Sequence, residues 1–173
     1  MGKDNIILIG MPGSGKSTLG VLLAKALNYR FLDTDLLIQE KEGMLLSEIL
    51  AKKGREAFIE IEGNINAGVT AERTVIAPGG SAIYSEKAMR HFQEIGTVVY
   101  LHVALPELRR RLGDLTKRGV VLKKGESLED LFTDRTMYYE QYASITVDVP
   151  DETIETILAR MTERLKNLNN LQM

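Results

Sequence analysis

The 173-residue chain contains no cysteine, no tryptophan and only two histidines, His91 and His102. The absence of cysteine excludes disulfides, thiolate metal sites and a cysteine nucleophile. The shortage of histidine argues against a metal centre built on imidazole. Aromatic residues make up 6%, too few to line a stacking platform for single-stranded nucleic acid. An excess of one charge is also missing. Against 22 Lys+Arg stand 24 Asp+Glu, a formal net charge of -2, so no bulk field grips nucleic acid or an anionic membrane. No run reaches the roughly 18 apolar residues of a membrane span. The opening residues lack the apolar core of a secretory signal, and Ile6 stands where a myristoylation signal needs Ser or Thr. The expected location is the cytoplasm. The expected partners are small molecules, with no nucleic acid and no membrane, and the expected state is a monomer.

What is present is ordinary globular material, 44% apolar and 27% charged. The length fits a single domain spanning 1–173. Strand-like runs alternate with helical patterns. Asn5–Ile9, Arg30–Asp33, Thr74–Ala77, Thr97–Val103 and Ile145–Val149 read as five strands. The first is a continuous apolar run of the kind buried on both faces. Helical spacing covers Lys16–Asn28, Leu36–Lys53 with a break near Gly43, Ser85–Glu94, Pro106–Leu112, Ser127–Tyr142 and a last helix after Pro150-Asp151. The tail from Asn167 is expected to fray. Strand–helix alternation implies parallel pairing through right-handed crossovers, hence a three-layer α/β fold with helices on both faces of the sheet. Asp114–Glu126 has little apolar content and reads as a mobile loop.

Gly10-Met11-Pro12-Gly13-Ser14-Gly15-Lys16-Ser17 fits the phosphate-loop pattern G-x-x-x-x-G-K-[ST], and it lies between the first strand and the first helix as that motif requires. Glycines let successive backbone N–H groups converge on an anion, and the helix that follows points its positive end there. Lys16 can then reach the β- and γ-phosphates, and the Ser17 hydroxyl can ligate Mg²⁺. Asp33-Thr34-Asp35 ends the second strand, on the side where open α/β sheets bind ligands. One carboxylate can serve a magnesium shell while the other meets an acceptor hydroxyl. The alternative is that Asp33 or Thr34 caps the next helix.

Gly10–Gly20, followed by Phe31-Leu32-Asp33-Thr34-Asp35, resembles shikimate kinase. The likeness extends over nearly the whole chain. Gly43–Phe58 is similar to the family's G-x-x-I-x-E-I-F-x-x-x-G-E-x-x-F stretch, and Val75–Ser81 to its V-I-A-T-G-G-G. Val98–Leu101 matches a further family strand, and Arg135 with Tyr138 or Tyr139, Glu140 and Ala143 resembles its R-x-P-x-Y-x-x-x-A helix. The resemblance implies a five-stranded parallel sheet of the P-loop kinase type with a mobile lid at about 113–126. It also implies ATP with Mg²⁺ and transfer of the γ-phosphate to shikimate, giving shikimate 3-phosphate for aromatic amino-acid biosynthesis. By position it assigns Gly13, Ser14, Gly15, Lys16, Ser17, Thr18, Arg111 and Arg118 to the nucleotide. Asp35, Phe58, Ile59, Gly79, Gly80, Ser81 and Arg135 fall to the acceptor, and Ser17 and Asp33 to the metal. Lys16, Asp35 and Arg118 are the implied catalytic residues.

Three positions depart from the family. Ile59 replaces an arginine that binds the acceptor carboxylate, Gly119 replaces a lid proline, and Ser81 replaces the last glycine of the G-G-G turn. Arg55, one helical turn before Ile59, is a candidate to compensate. The departures leave open a paralogue with another small hydroxylated acceptor, and beyond that a nucleotide-binding module without turnover. Other residues have plainer expectations. His91 reads as surface, His102 as packed or at an edge, Met11 as loop packing and Lys123-Lys124 as solvated. Glu60 and Glu62 read as the wet face of a helix. The resemblance adds that a glutamate at position 62 orients the arginine that Ile59 replaces, which leaves Glu62 free or paired with Arg55.

Overall fold

The computed structural model describes residues 4–112 and 120–171, without the side chains of 169–171. Arg118 and Gly119, with the first half of the expected lid, lie outside the described residues. Five parallel strands, β1 (Asn5–Ile9), β2 (Arg30–Asp33), β3 (Thr74–Ala77), β4 (Gly96–His102) and β5 (Ile145–Asp148), form one sheet in the order β2-β3-β1-β4-β5. All five expected strands are present within a residue at either end. Every residue of β1 is buried, as a central strand covered by helices on both faces requires. Parallel pairing sets Ile6 beside Val75, Ile7 beside Ile76 and Asp33 beside Ala77. That register brings the segments leaving β1, β2 and β3 together at one edge of the molecule.

The helices are α1 (Lys16–Leu27), α2 (Thr34–Glu42), α3 (Leu46–Ala67), α4 (Glu86–Ile95), α5 (Leu105–Leu112), α6 (Leu128–Tyr142) and α7 (Ile154–Leu171). A short 3-10 turn covers Ala82–Tyr84. The helix expected over Leu36–Lys53 is two helices. Gly43 (φ 63) stops the first in the left-handed conformation that lacks a Cβ penalty. The second kinks at Gly54 (φ 83) and runs on to Ala67. Ser85 caps α4 and Ser127 caps α6, each through its hydroxyl. The α7 helix continues to Leu171, past the expected fraying point, and Ile157, Met161 and Leu165 bury the inner stripe of its earlier turns. No helix of the described residues is long and apolar enough to cross a membrane.

The main core joins β1, β3 and β4 to Leu23, Met89, Phe92, Tyr139 and Met161. A second apolar cluster lies under α2 and α3, where Ile38, Ile49, Phe58 and Ile65 meet Val121. Val121 therefore anchors the described half of the expected lid to the α3 side. Met11 is buried and Lys123 and Lys124 are exposed, as expected. His91 is half-buried and bonds the Val69 carbonyl at 2.7 Å rather than standing in solvent. His102 is half-buried at the end of β4 and pairs with Asp148 at 2.8 Å.

Asn5 ties the start of the sheet to two connections. Its amide donates to Ala71 O (2.8 Å) and Ile95 O (2.9 Å), and its carbonyl accepts from Thr74 N (3.1 Å). Asn5 is 2% exposed, so truncation leaves three backbone groups short of a partner. Asn5→Ala is expected to cost about 2–4 kcal/mol and to lower Tm by roughly 5–15 °C, read by thermal unfolding monitored by circular dichroism.

Candidate active site

The three segments that leave the carboxyl ends of β1, β2 and β3 enclose a cleft of about 280 Å³. One wall is the phosphate loop. Gly13 (φ 79) and Gly15 (φ 91) take left-handed conformations there, which turn backbone N–H groups toward a common anion position. Lys16 folds back over the loop, donating to Gly10 O (2.9 Å), Met11 O (3.0 Å) and, more weakly, Ser14 Oγ (3.5 Å). Burial pushes its ammonium down to about 8, against the pull of Asp35. Ser14 is buried inside the loop, while Ser17 and Thr18 face outward. Arg111 reaches in from α5 to donate to Gly13 O at 3.4 Å.

Asp33 caps α2, the alternative expected for it, and also meets the phosphate-loop hydroxyl. Its Oδ1 accepts from Asp35 N (2.9 Å), capping α2, and its Oδ2 accepts from Ser17 Oγ (3.0 Å). The cap leaves one carboxylate oxygen beside the phosphate-loop hydroxyl, a pair of hard oxygen donors suited to Mg²⁺. Asp35 faces the cleft one residue inside α2. Burial, with Asp33 nearby, raises its carboxyl to about 6, opposed by Lys16.

The floor is Pro78-Gly79-Gly80-Ser81 after β3. A Cβ on Gly79 would lie 2.6 Å from Glu62 Oε1 and 2.9 Å from Asp35 Oδ1, and one on Gly80 would lie 2.8 Å from Arg135 Nη1. Only glycine leaves room for these side chains. Tyr139 donates to Gly80 O at 2.8 Å and stacks on Tyr100, so Tyr139 rather than Tyr138 fixes the floor. Arg135 is 1% exposed. It donates to Val121 O (2.8 Å) and to Tyr84 Oη (3.4 Å). Among the described residues no carboxylate pairs with it, so its charge stays available to an anionic ligand. Tyr84 carries two guanidinium groups, Arg55 at 5.2 Å and Arg135 at 5.5 Å from its ring centre.

Phe58 lines the cleft, whereas Ile59 packs against the second apolar cluster and is not among the lining residues. The expected wet face of α3 needs correction. Glu60 is exposed, but Glu62 is 1% exposed and accepts from Ser81 Oγ at 2.6 Å. Nor does it pair with Arg55, which lies on Tyr84. The signal was readable: Phe58, Glu62, Ile65 and Asn66 follow helical spacing, so one face holds them all. Tyr84 carries no local signal, and for Tyr139 the helix motif leaves it level with Tyr138.

A phosphate loop after the first strand of a parallel α/β sheet, facing a buried carboxylate and a glycine floor, defines a P-loop kinase of small molecules. The comparisons narrow this class. A family model for shikimate kinase matches residues 12–166. A shikimate kinase from Sulfurihydrogenibium sp. (strain YO3AOP1) is 36% identical over 165 residues, covering 92% of this chain and 99% of that protein. One from Bacillus anthracis is 32% identical over 162 residues, covering 93% and 98%. The solved shikimate kinase of Acinetobacter baumannii, in complex with shikimate, superposes with a TM-score of 0.86 at 27% identity, over 95% of this chain and 93% of that one. The chain belongs to the shikimate kinase family, whose members are ATP-using phosphotransferases with an alcohol group as acceptor. That membership sets aside a nucleotide-binding module without turnover.

The contacts at Gly79 yield a test. Gly79→Ala forces its Cβ between Glu62 and Asp35, an overpacking cost of about 1–3 kcal/mol. Acceptor kcat/KM is expected to fall roughly ten- to a hundredfold, with ATP affinity by isothermal titration essentially unchanged.

Proposed function

We propose that this chain transfers the γ-phosphate of ATP to a ring hydroxyl of shikimate, giving shikimate 3-phosphate. The observation that carries the reading is the single cleft in which the phosphate loop faces Asp35, Gly79, Gly80 and Arg135. The loop's N–H groups and Lys16 hold the polyphosphate, with Arg111 on the nucleotide side. Lys16 lies close enough to neutrality to benefit from the nucleotide's negative charge, which keeps it protonated. Ser17 and Asp33 are the residues suited to Mg²⁺, which when bound neutralises phosphate charge. Asp35 orients the acceptor hydroxyl and takes its proton as the oxygen bonds to the γ-phosphorus and ADP departs. A carboxyl raised to about 6 is better matched to that task at neutral pH than an ordinary aspartate. Catalysis is positioning plus charge stabilisation, with no covalent enzyme intermediate. The resemblance adds Arg118 as a further cation for the transferring phosphoryl.

Arg135 is the anchor for the acceptor carboxylate, and Arg55, sharing the Tyr84 ring with it, supplies the second positive charge that Ile59 lacks. Arg55→Ala is expected to raise acceptor KM about tenfold, the worth of one charge-assisted hydrogen bond, with ATP KM unchanged. An unaltered acceptor KM would remove Arg55 from the site. Coupled ADP release with ATP-Mg²⁺ and shikimate tests the activity itself. Ile59 and Ser81 favour one competing reading, a different hydroxylated acceptor. Turnover with another polyol acid but none with shikimate would select it.

A further inference from the structure

Glu62 is a buried acid that the mechanism above does not use. It sits on α3 with 1% exposure and lines the acceptor side of the cleft. Ser81 Oγ donates to its Oε2 at 2.6 Å, while Oε1 has no hydrogen-bond partner. Ile59, one turn earlier on the same helix, offers no charge. Among the described residues no cation reaches ion-pair distance of Glu62. Its Oε1 and Asp35 Oδ1 converge on the same face of Gly79, within 2.6 and 2.9 Å of the point a Cβ would occupy. Two ionised carboxylates cannot share so dry a place without a cation between them.

We propose that Glu62 is a specificity-determining group of the acceptor site that works as a neutral acid, its Oε2 held by Ser81 and its Oε1–H directed at an acceptor hydroxyl above Gly79. With Ser81 donating to Oε2, the acidic proton belongs on Oε1, the oxygen without a partner. A hydroxyl placed there accepts from Glu62 and donates to Asp35, which fixes the direction of its lone pairs. The site thereby selects an uncharged polyol edge beside Asp35 and rejects an anionic group there. Ser81 and Ile59 act together: the serine replaces with a neutral hydrogen bond what an arginine at 59 would supply as charge. The protonation state agrees with the geometry. Burial, with help from Asp35, holds the Glu62 carboxyl at about 7, against the Ser81 hydrogen bond and the charges of Arg135 and Lys16. The acceptor role rests on the kinase reading above.

The test compares wild type with Glu62→Gln, Glu62→Ala and Ser81→Ala. The groups that face Glu62 are Asp35 on α2, Lys16 on α1 and Arg135 on α6. They are common to all four proteins, so the ratio of wild type to Glu62→Gln isolates Glu62. At pH 6 the glutamine, also a donor, is expected to keep shikimate KM within about threefold, while alanine raises it about tenfold or more; ATP KM is unchanged in both. The wild-type to Glu62→Gln ratio of acceptor kcat/KM is expected to fall about tenfold per pH unit above about 7. Ser81→Ala removes a bond that favours the ionised form, so its limb moves to higher pH. A ratio flat with pH, or an alanine variant with unchanged acceptor KM, overturns the proposal. Wild type inactive on shikimate overturns the acceptor instead. The neutral acid is then read on the ligand-free proteins: Tm of wild type relative to Glu62→Gln falls as pH rises from about 5 to 8, because the folded state holds a proton the unfolded chain has lost. A pH-independent Tm difference refutes it.

Discussion

Parallel pairing of β1 with β3, and of β3 with β2, is the constraint on which the site depends. In a parallel sheet the carboxyl ends of neighbouring strands lie at one edge. Ile6 beside Val75 and Asp33 beside Ala77 align three neighbouring exits, with the β3 exit one strand spacing from each of the other two. The phosphate loop, the aspartate pair and the glycine floor come from chain positions some 20 to 70 residues apart. A slip of one residue in the β2–β3 register would turn Asp33 to the other face of the sheet and part it from Ser17.

Charge in the cleft is arranged by burial as much as by count. Lys16 and Arg135 are both held by backbone carbonyls rather than by carboxylates. Carbonyl partners satisfy the donors without cancelling the charge, which remains available to anionic ligands. The acids respond in the opposite sense. Asp35 and Glu62 both lose solvation and are raised toward neutral pH. A chain of formal net charge -2 thus lines one cleft with Lys16 and Arg135 beside Asp33, Asp35 and Glu62.

Much of this arrangement was legible in advance because it is local. The phosphate loop needs only eight consecutive residues, and Asp33 with Asp35 needs three. β1, β3 and β4 stand out as apolar runs, and strand–helix alternation places all five strands. The wet-face expectation for Glu62 fails because its place four residues after Phe58, not its charge, decides which face it shares. Spacing from Ile59 singles out Arg55, yet its contact with Tyr84 joins segments 29 residues apart that meet only through packing of α3 on the turn after β3.

The sequence by itself therefore determined the fold class, the nucleotide grip and the family, since each is written in short contiguous motifs whose backbone chemistry is self-sufficient. The tertiary structure alone decided the character of the acceptor side. Whether Glu62 faces water or Ser81, and whether Arg135 meets a carboxylate or a carbonyl, depends on which helices pack against the floor. Burial then sets the charge state of every group they bring together.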